Sequence, residues 1–293
     1  MMLRRSLLAL ALLLCAVPSW AARNFVRASG HYIHTATLPV TTTPFTICGW
    51  GKSGDDTVTQ GFVTIGRTAT EEYCGIRFRG NISGDPIYAS CIVGGSTTGA
   101  AISTTGYVAG QWHLVCGIFA STTSRTVYLD GGSSATETTS VDPTSENILT
   151  IGRTSNSSVP TFSGDIAEVT IWDVALTASD AAAMWGSKCI RCVRSESIVF
   201  SPPLLGRADP EVDLYGGTLT VVGAAYAAHP AVVYPFEQPE IFWDTPAAAG
   251  GQPTMRRWEH VPYMPSGRGR GGIKMLVGHD FTQEALPCVG CPQ

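Results

Sequence analysis

GDIAEVTIWDVALTASD, residues 164–180, reads as a strand that runs straight into a helix. Ala167, Val169 and Ile171 fall on one side of an extended segment and Ile166, Glu168, Thr170 and Trp172 on the other, the period of two expected of a strand with a buried face. After Trp172-Asp173 the pattern changes. Thr177 stands three residues ahead of Asp180, so its hydroxyl can cap the first helical turn while the acidic residue favours the positive helix end. Ala181, Ala182, Ala183 and Met184 propagate a short helix, and Gly186 is expected to stop it.

Outward from this stretch, strand-like segments recur about every ten residues: HYIH, FTICGW, GFVTIG, YCGIRF, PIYASCIV, WHLVCGIF, RTVYLD and ILTIG, separated by clusters of Gly, Asn, Asp, Ser and Thr. The 293-residue chain holds 32 Gly and 18 Pro with only 14% charged residues, a composition suited to short strands joined by turns. No repeat of fixed period is evident, which argues against a propeller or solenoid. The expected fold is all-β, a two-sheet antiparallel sandwich with one short helix.

Two hairpins can be placed in register. In YCGIRF-RGNISGD-PIYASCIV the turn centres between Ile82 and Ser83, which sets Cys74 directly opposite Cys91 as cross-strand neighbours, a candidate disulfide. In WHLVCGIFASTTSRTVYLDG the turn lies near residues 121–124, and Asp130-Gly131 supplies the next one.

The N-terminus, MMLRRSLLALALLLCAVPSWAA, has Arg4 and Arg5, an apolar run from Leu7 to Val17, and Ser19 and Ala21 ahead of a cleavage point, the layout of a signal peptide over residues 1–21. The run falls short of the roughly 20 residues that span a bilayer, and no other segment could span. Secretion is therefore expected. Removal of residues 1–21 takes two of the 19 basic residues and none of the 23 acidic ones, leaving a net charge of −6. Such a chain has no global attraction for nucleic acid or anionic membrane. The local exception is residues 255–274, with Arg256, Arg257, Arg268, Arg270 and Lys274 against Glu259, which read as a solvated tail. Residues 22–236 are assigned to the sandwich and 237–293 to an irregular arm rich in Pro, Gly and Ala.

Several motifs in order resemble the laminin-G/pentraxin group of concanavalin A-like sandwiches: FVRASGHYIH its first strands, FTICGW the next, WHLVCGIF with VYLDG its central hairpin, and GDIAEVTIWDVALTASD its late strand and helix. SIVFSPPL and LTVVGAAYAAHPAVVYP resemble the returning C-terminal strands. The resemblance implies a disulfide between Cys48 and Cys116, which sit where pentraxins join their FT-x-C and H-x-C strands, although His113 stands one position too far from its cysteine. Two buried free thiols are the alternative. Pentraxins bind ligands through calcium, and Glu71 and Glu72 resemble one half of that site; as an alternative they form a solvated strand edge. In the other half, Thr154, Ser155 and Asn156 stand where the family has acidic residues. Calcium takes six to eight oxygens, several of them charged, so the missing carboxylates disfavour it, and no cofactor is expected. Glu71, Glu72, Thr154 and Asn156 remain the ligand-binding candidates.

The sequence lacks the E-x-D-x-x-E run of sandwich-type glycoside hydrolases, along with H-E-x-x-H and G-x-S-x-G. Glu71 and Glu72 are adjacent and would point to opposite faces of a strand. Two C-x-x-C motifs, Cys189/Cys192 and Cys288/Cys291, could form disulfides, hold zinc through four thiolates, or stay free or redox-active; the first two outcomes would tie the C-terminal arm back beside the helix. The resemblance and the missing catalytic residues together imply a non-catalytic module binding a glycan or other extracellular ligand through rim loops or a sheet face. A structural part of a surface or virion assembly is the alternative, with oligomers and protein partners allowed, and a glycosidase comes last.

Overall fold

A computed structural model of the chain describes residues 21–232, apart from 157–160, 205, 207 and 208. The predicted signal peptide, apart from Ala21, and the predicted arm, with Cys288, Cys291 and the basic stretch 255–274, lie outside the described residues. The elements run β1 (Ala21–Phe25), β2 (Tyr32–Thr35), β3 (Phe45–Ser53), β4 (Thr59–Gly66), β5 (Tyr73–Arg79), β6 (Pro86–Val93), β7 (Ser96–Gly106), β8 (His113–Ser121), β9 (Ser124–Leu129), β10 (Gly132–Glu137), β11 (Ile148–Ile151), β12 (Gly164–Trp172), the helix α1 (Ala178–Ser187), β13 (Ile198–Phe200), β14 (Glu211–Val212), β15 (Thr218–Val222) and β16 (Ala225–Ala228).

The strands form two antiparallel sheets of eight. The first is ordered β10-β9-β8-β3-β12-β1-β16, with β13 also paired to β12; the second is ordered β14-β15-β2-β11-β4-β5-β6-β7. The expected all-β sandwich is what the chain builds. Between the sheets lies one apolar cluster that includes Ile47, Phe62, Ile76, Phe78, Val115, Phe162, Val169 and Ile171. The rings of Phe62, Phe78 and Phe162 contact one another at 5.1–5.8 Å. Gly51 makes room for them, since a β-carbon there would lie 2.8 Å from Phe78 Cζ and 2.9 Å from Phe62 Cε2.

A second cluster covers the outer face of the first sheet, where Cys48, Trp50, Leu114, Cys116 and Trp172 pack under Ala181 and Met184 of α1. This explains why a β-rich chain carries a helix after β12: the helix roofs apolar side chains that the sheet turns away from the main core. Thr177 caps it as the sequence predicts, with reciprocal bonds to Asp180. Gly186, however, lies inside the helix, and Lys188 takes the left-handed C-terminal position at φ 54°.

The alternation read in β12 also needs correction. Pairing between β12 and β3 shifts register between Ala167 and Thr170, and Glu168 adopts a left-handed φ of 54°. The bulge adds one residue to the strand. It places Ile166 with Val169 and Ile171 in the central core and Ala167 with Trp172 under the helix. The other predicted registers hold: Cys74 opposes Cys91, and β8 joins β9 through residues 121–124.

Among the described residues there are three disulfides. Cys48 bonds to Cys116 and Cys74 to Cys91, both across adjacent strands. Cys189 and Cys192 bond to each other, so neither is a thiolate ligand for zinc, and the tie to the arm is not made through them. No helix among the described residues is long and apolar enough to cross a membrane.

Candidate functional site

At one end of the sandwich six segments remote in sequence enclose a cleft of about 350 Å³, within the size range of small-ligand sites. Its apolar floor comes from Val40, Phe45, Ile65, Val141, Pro143 and the Cys74–Cys91 disulfide. Its polar lining comes from Thr41, Thr42 and Thr43 before β3, Ser121 and Thr122 in the β8–β9 turn, and Asp142, Thr144, Ser145 and Glu146 before β11.

The wall that carries the carboxylates is fixed at both ends. Val141 N donates to Thr122 O at 2.9 Å and Asn147 N to Gly66 O at 2.8 Å. Behind it the buried Arg125 guanidinium donates to the carbonyls of Gly99, Thr122 and Thr139 at 2.7–3.0 Å. Chain segments that would otherwise be loose loops are thereby held by backbone bonds and one guanidinium, so the hydroxyls they carry are positioned before any ligand arrives.

Burial pushes the Glu146 carboxyl above its usual range, and the negative charges of Asp142 and Glu72 push it the same way. A cleft with two carboxyl groups and a ring of hydroxyls offers both donors and acceptors above an apolar floor. Such a surface matches a molecule with an apolar ring face and hydroxyls at its edge.

The residues singled out in the sequence fall around this cleft without lining it. Glu72 accepts from Arg67 at 3.4 Å and acts on Glu146 through its charge, while the Glu71 carbonyl accepts from Gly95 N at 3.4 Å. Thr154 is buried and Asn156 half-buried, in a loop that crosses the outer face of the second sheet, where the Thr150 hydroxyl donates to Arg153 O at 2.9 Å. The two halves adjoin at Gly66: a β-carbon there would lie 2.4 Å from the Glu72 carbonyl oxygen and 2.6 Å from Ser155 Oγ. They meet through backbone and Ser155. Among the described residues no group of three or more His, Cys, Asp or Glu is arranged to hold a metal ion. Asp142 and Glu146 were not singled out in the sequence; the only local signal is the acidic DPTSE run ahead of ILTIG.

A family model described as the concanavalin A-like lectin/glucanases superfamily matches residues 27–182. No curated protein matches the sequence. Among solved structures, a candidate carbohydrate binding protein from Bacteroides ovatus ATCC 8483 superposes with a TM-score of 0.54 at 18% identity, over 73% of this chain and 61% of that one. The chain thus spans about three fifths of that protein's length, and at this identity the likeness concerns the fold alone. The heptameric SAP-like pentraxin of Limulus polyphemus gives 0.45 at 15% identity, over 72% of this chain and 98% of that one. The CBM40 of Ruminococcus gnavus IT-sialidase gives 0.46 at 12%, over 57% and 97%.

Proposed function

The chain belongs to the concanavalin A-like lectin/glucanase superfamily, and from that premise we propose that it is an exported, non-catalytic carbohydrate-binding module that receives a sugar in the cleft at the end of its sandwich. The observation that carries this reading is the lining of that cleft: an apolar floor under a ring of Thr and Ser hydroxyls and two carboxyl groups. Sugar hydroxyls donate well to carboxylates, and a hydrogen bond to a charged group contributes about 1.5–3 kcal/mol. The likeness in fold to the candidate carbohydrate binding protein of Bacteroides ovatus supports the same reading. Three disulfides fit a chain that matures in an oxidising compartment, in keeping with the signal peptide read in the sequence.

A glycan array followed by calorimetry tests it. Neutral oligosaccharides are expected to bind, and a combined Asp142→Asn/Glu146→Gln change is expected to weaken them by about tenfold or more. Absence of any array signal, together with ordered oligomers in solution, would favour the structural role instead. Calcium is proposed to be dispensable, so binding should survive a chelator; tight calcium heats would reverse this.

A second reading rests on the two carboxyl groups that line the cleft together, Asp142 and Glu146, the first being one of the charges that raise the second. A glycosidase needs one protonated and one ionised carboxyl flanking the bond it breaks. Release of reducing sugar from polysaccharide, abolished by Glu146→Gln, would establish it.

A further inference from the structure

The second sheet turns alternate side chains away from the core, and on β5 and β6 these are Tyr73, Gly75 and Arg77 opposite Ile92, Ser90 and Tyr88. Arg77 is 4% exposed, yet no carboxylate among the described residues answers its charge. Its Nη2 donates to Ser90 Oγ at 3.0 Å, and its Nε has no acceptor. The charged and titratable groups that act on it are the Tyr73 and Tyr88 phenols and a second cation, Arg79. Burial and Arg79 both push the guanidinium below its usual range. Glu71 acts on Tyr73 but does not figure among the groups acting on Arg77.

One further group on the same strip faces only this guanidinium. Tyr73 is 1% exposed, and its hydroxyl meets Arg77 without a well-formed hydrogen bond. A buried guanidinium with no carboxylate beside it is unfavourable unless something outside the chain completes it.

We infer that the outer face of β5 and β6 is a second binding site, for the carboxylate or sulfate group of an acidic sugar, with Arg77 as the partner of the anion. The hydroxyl of Tyr73 supplies a further hydrogen bond, and the Tyr88 ring supplies a surface for the sugar ring to stack on. The half-buried Arg79, whose Cζ lies 4.6 Å from the Tyr88 ring centre, must swing aside to admit the sugar. On the far side Ile102, opposite Tyr88 on β7, is 42% exposed. The need for an anion stands on Arg77; that a sugar carries it rests on the carbohydrate-binding reading.

The test is calorimetric titration of the whole chain with glucuronate, inorganic sulfate and glucose, on the wild type, Arg77→Gln and Arg77→Lys. Glucuronate is expected to bind the wild type, to lose at least about thirtyfold in affinity with Arg77→Gln, and to fall between the two with Arg77→Lys, which keeps the charge but not the planar fork. Binding of neutral sugar in the end cleft should be unchanged by Arg77→Gln and reduced by Glu146→Gln, so the two sites fail separately. Equal affinity for sulfate and glucuronate would overturn the assignment to a sugar while keeping the anion site. The melting temperature of Arg77→Met guards against simple misfolding. Without ligand it should match or exceed that of the wild type, because a buried unpaired charge has been removed. A melting temperature well below the wild type, with no glucuronate or sulfate binding to the wild type, would make Arg77 a structural strut and overturn the proposal.

Discussion

Removing the Cys48–Cys116 and Cys74–Cys91 disulfides separately should split stability from binding. Both pairs are buried and both bridge adjacent strands, so they differ mainly in the chain they close: 68 residues for the first and 17 for the second. In the chain-entropy model these separations correspond to about 4.4 and about 3.1 kcal/mol at room temperature, a difference of about 1.3 kcal/mol. Position adds a second contrast. Cys48 and Cys116 lie under α1, away from the cleft, whereas Cys74 and Cys91 form part of its floor. Urea unfolding of the two double-alanine variants, followed by tryptophan fluorescence, should move the midpoint down by about 1.5 M for Cys48/Cys116 and about 1 M for Cys74/Cys91, taking a slope of about 3 kcal/mol/M. Binding measured well below either midpoint should be intact in the first variant and weakened in the second. Equal or reversed losses of stability would show that loop length does not control the effect, and undiminished sugar binding in the Cys74/Cys91 variant would remove that disulfide from the site.

Glu146→Gln should stabilise the protein at neutral pH. Burial and neighbouring acids raise its folded pKa, so the favourable protonated state is fully present below the usual carboxyl value of 4.5 and is lost as pH rises through the raised one. The stability gain of the variant should grow over that window, and a gain independent of pH would refute the linkage. Gly51→Ala should cost about 1–3 kcal/mol because its β-carbon meets Phe78 and Phe62 at 2.8–2.9 Å, whereas Gly54→Ala, with its nearest contact at 3.5 Å, serves as the control in the same thermal melts. Thr177→Ala should remove about 1 kcal/mol by deleting the cap of α1, and a neutral result by chemical denaturation would show that packing under the helix, and not its cap, sets its stability.

Which parts of this molecule can be read from sequence follows from how local their causes are. The β5–β6 register was legible because one turn fixes it, and every pairing, Cys74 with Cys91 included, follows from the turn centre. The bulge in β12 was not, because the residue that bends it is held from far away: the Glu168 carboxylate lies 3.3 Å from Arg191 Nε and 3.3 Å from His229 Nε2. β7 is not legible in the sequence because STTGAAISTTG has the composition of a turn. Its Gly99 is needed where Arg125 crosses to the carbonyl, since a β-carbon there would sit 1.9 Å from the guanidinium. The cleft shows the same logic at the level of function. Glu71 and Glu72 stand out through their resemblance to one half of the pentraxin calcium site, and Glu72 does act on Glu146. The cleft itself is lined by threonine and serine from the segment before β3, the β8–β9 turn and the loop before β11. Hydroxyl residues are also what turns are made of, so no spacing distinguishes a hydroxyl that ends a strand from one that lines a pocket until the two sheets bring those segments to the same end.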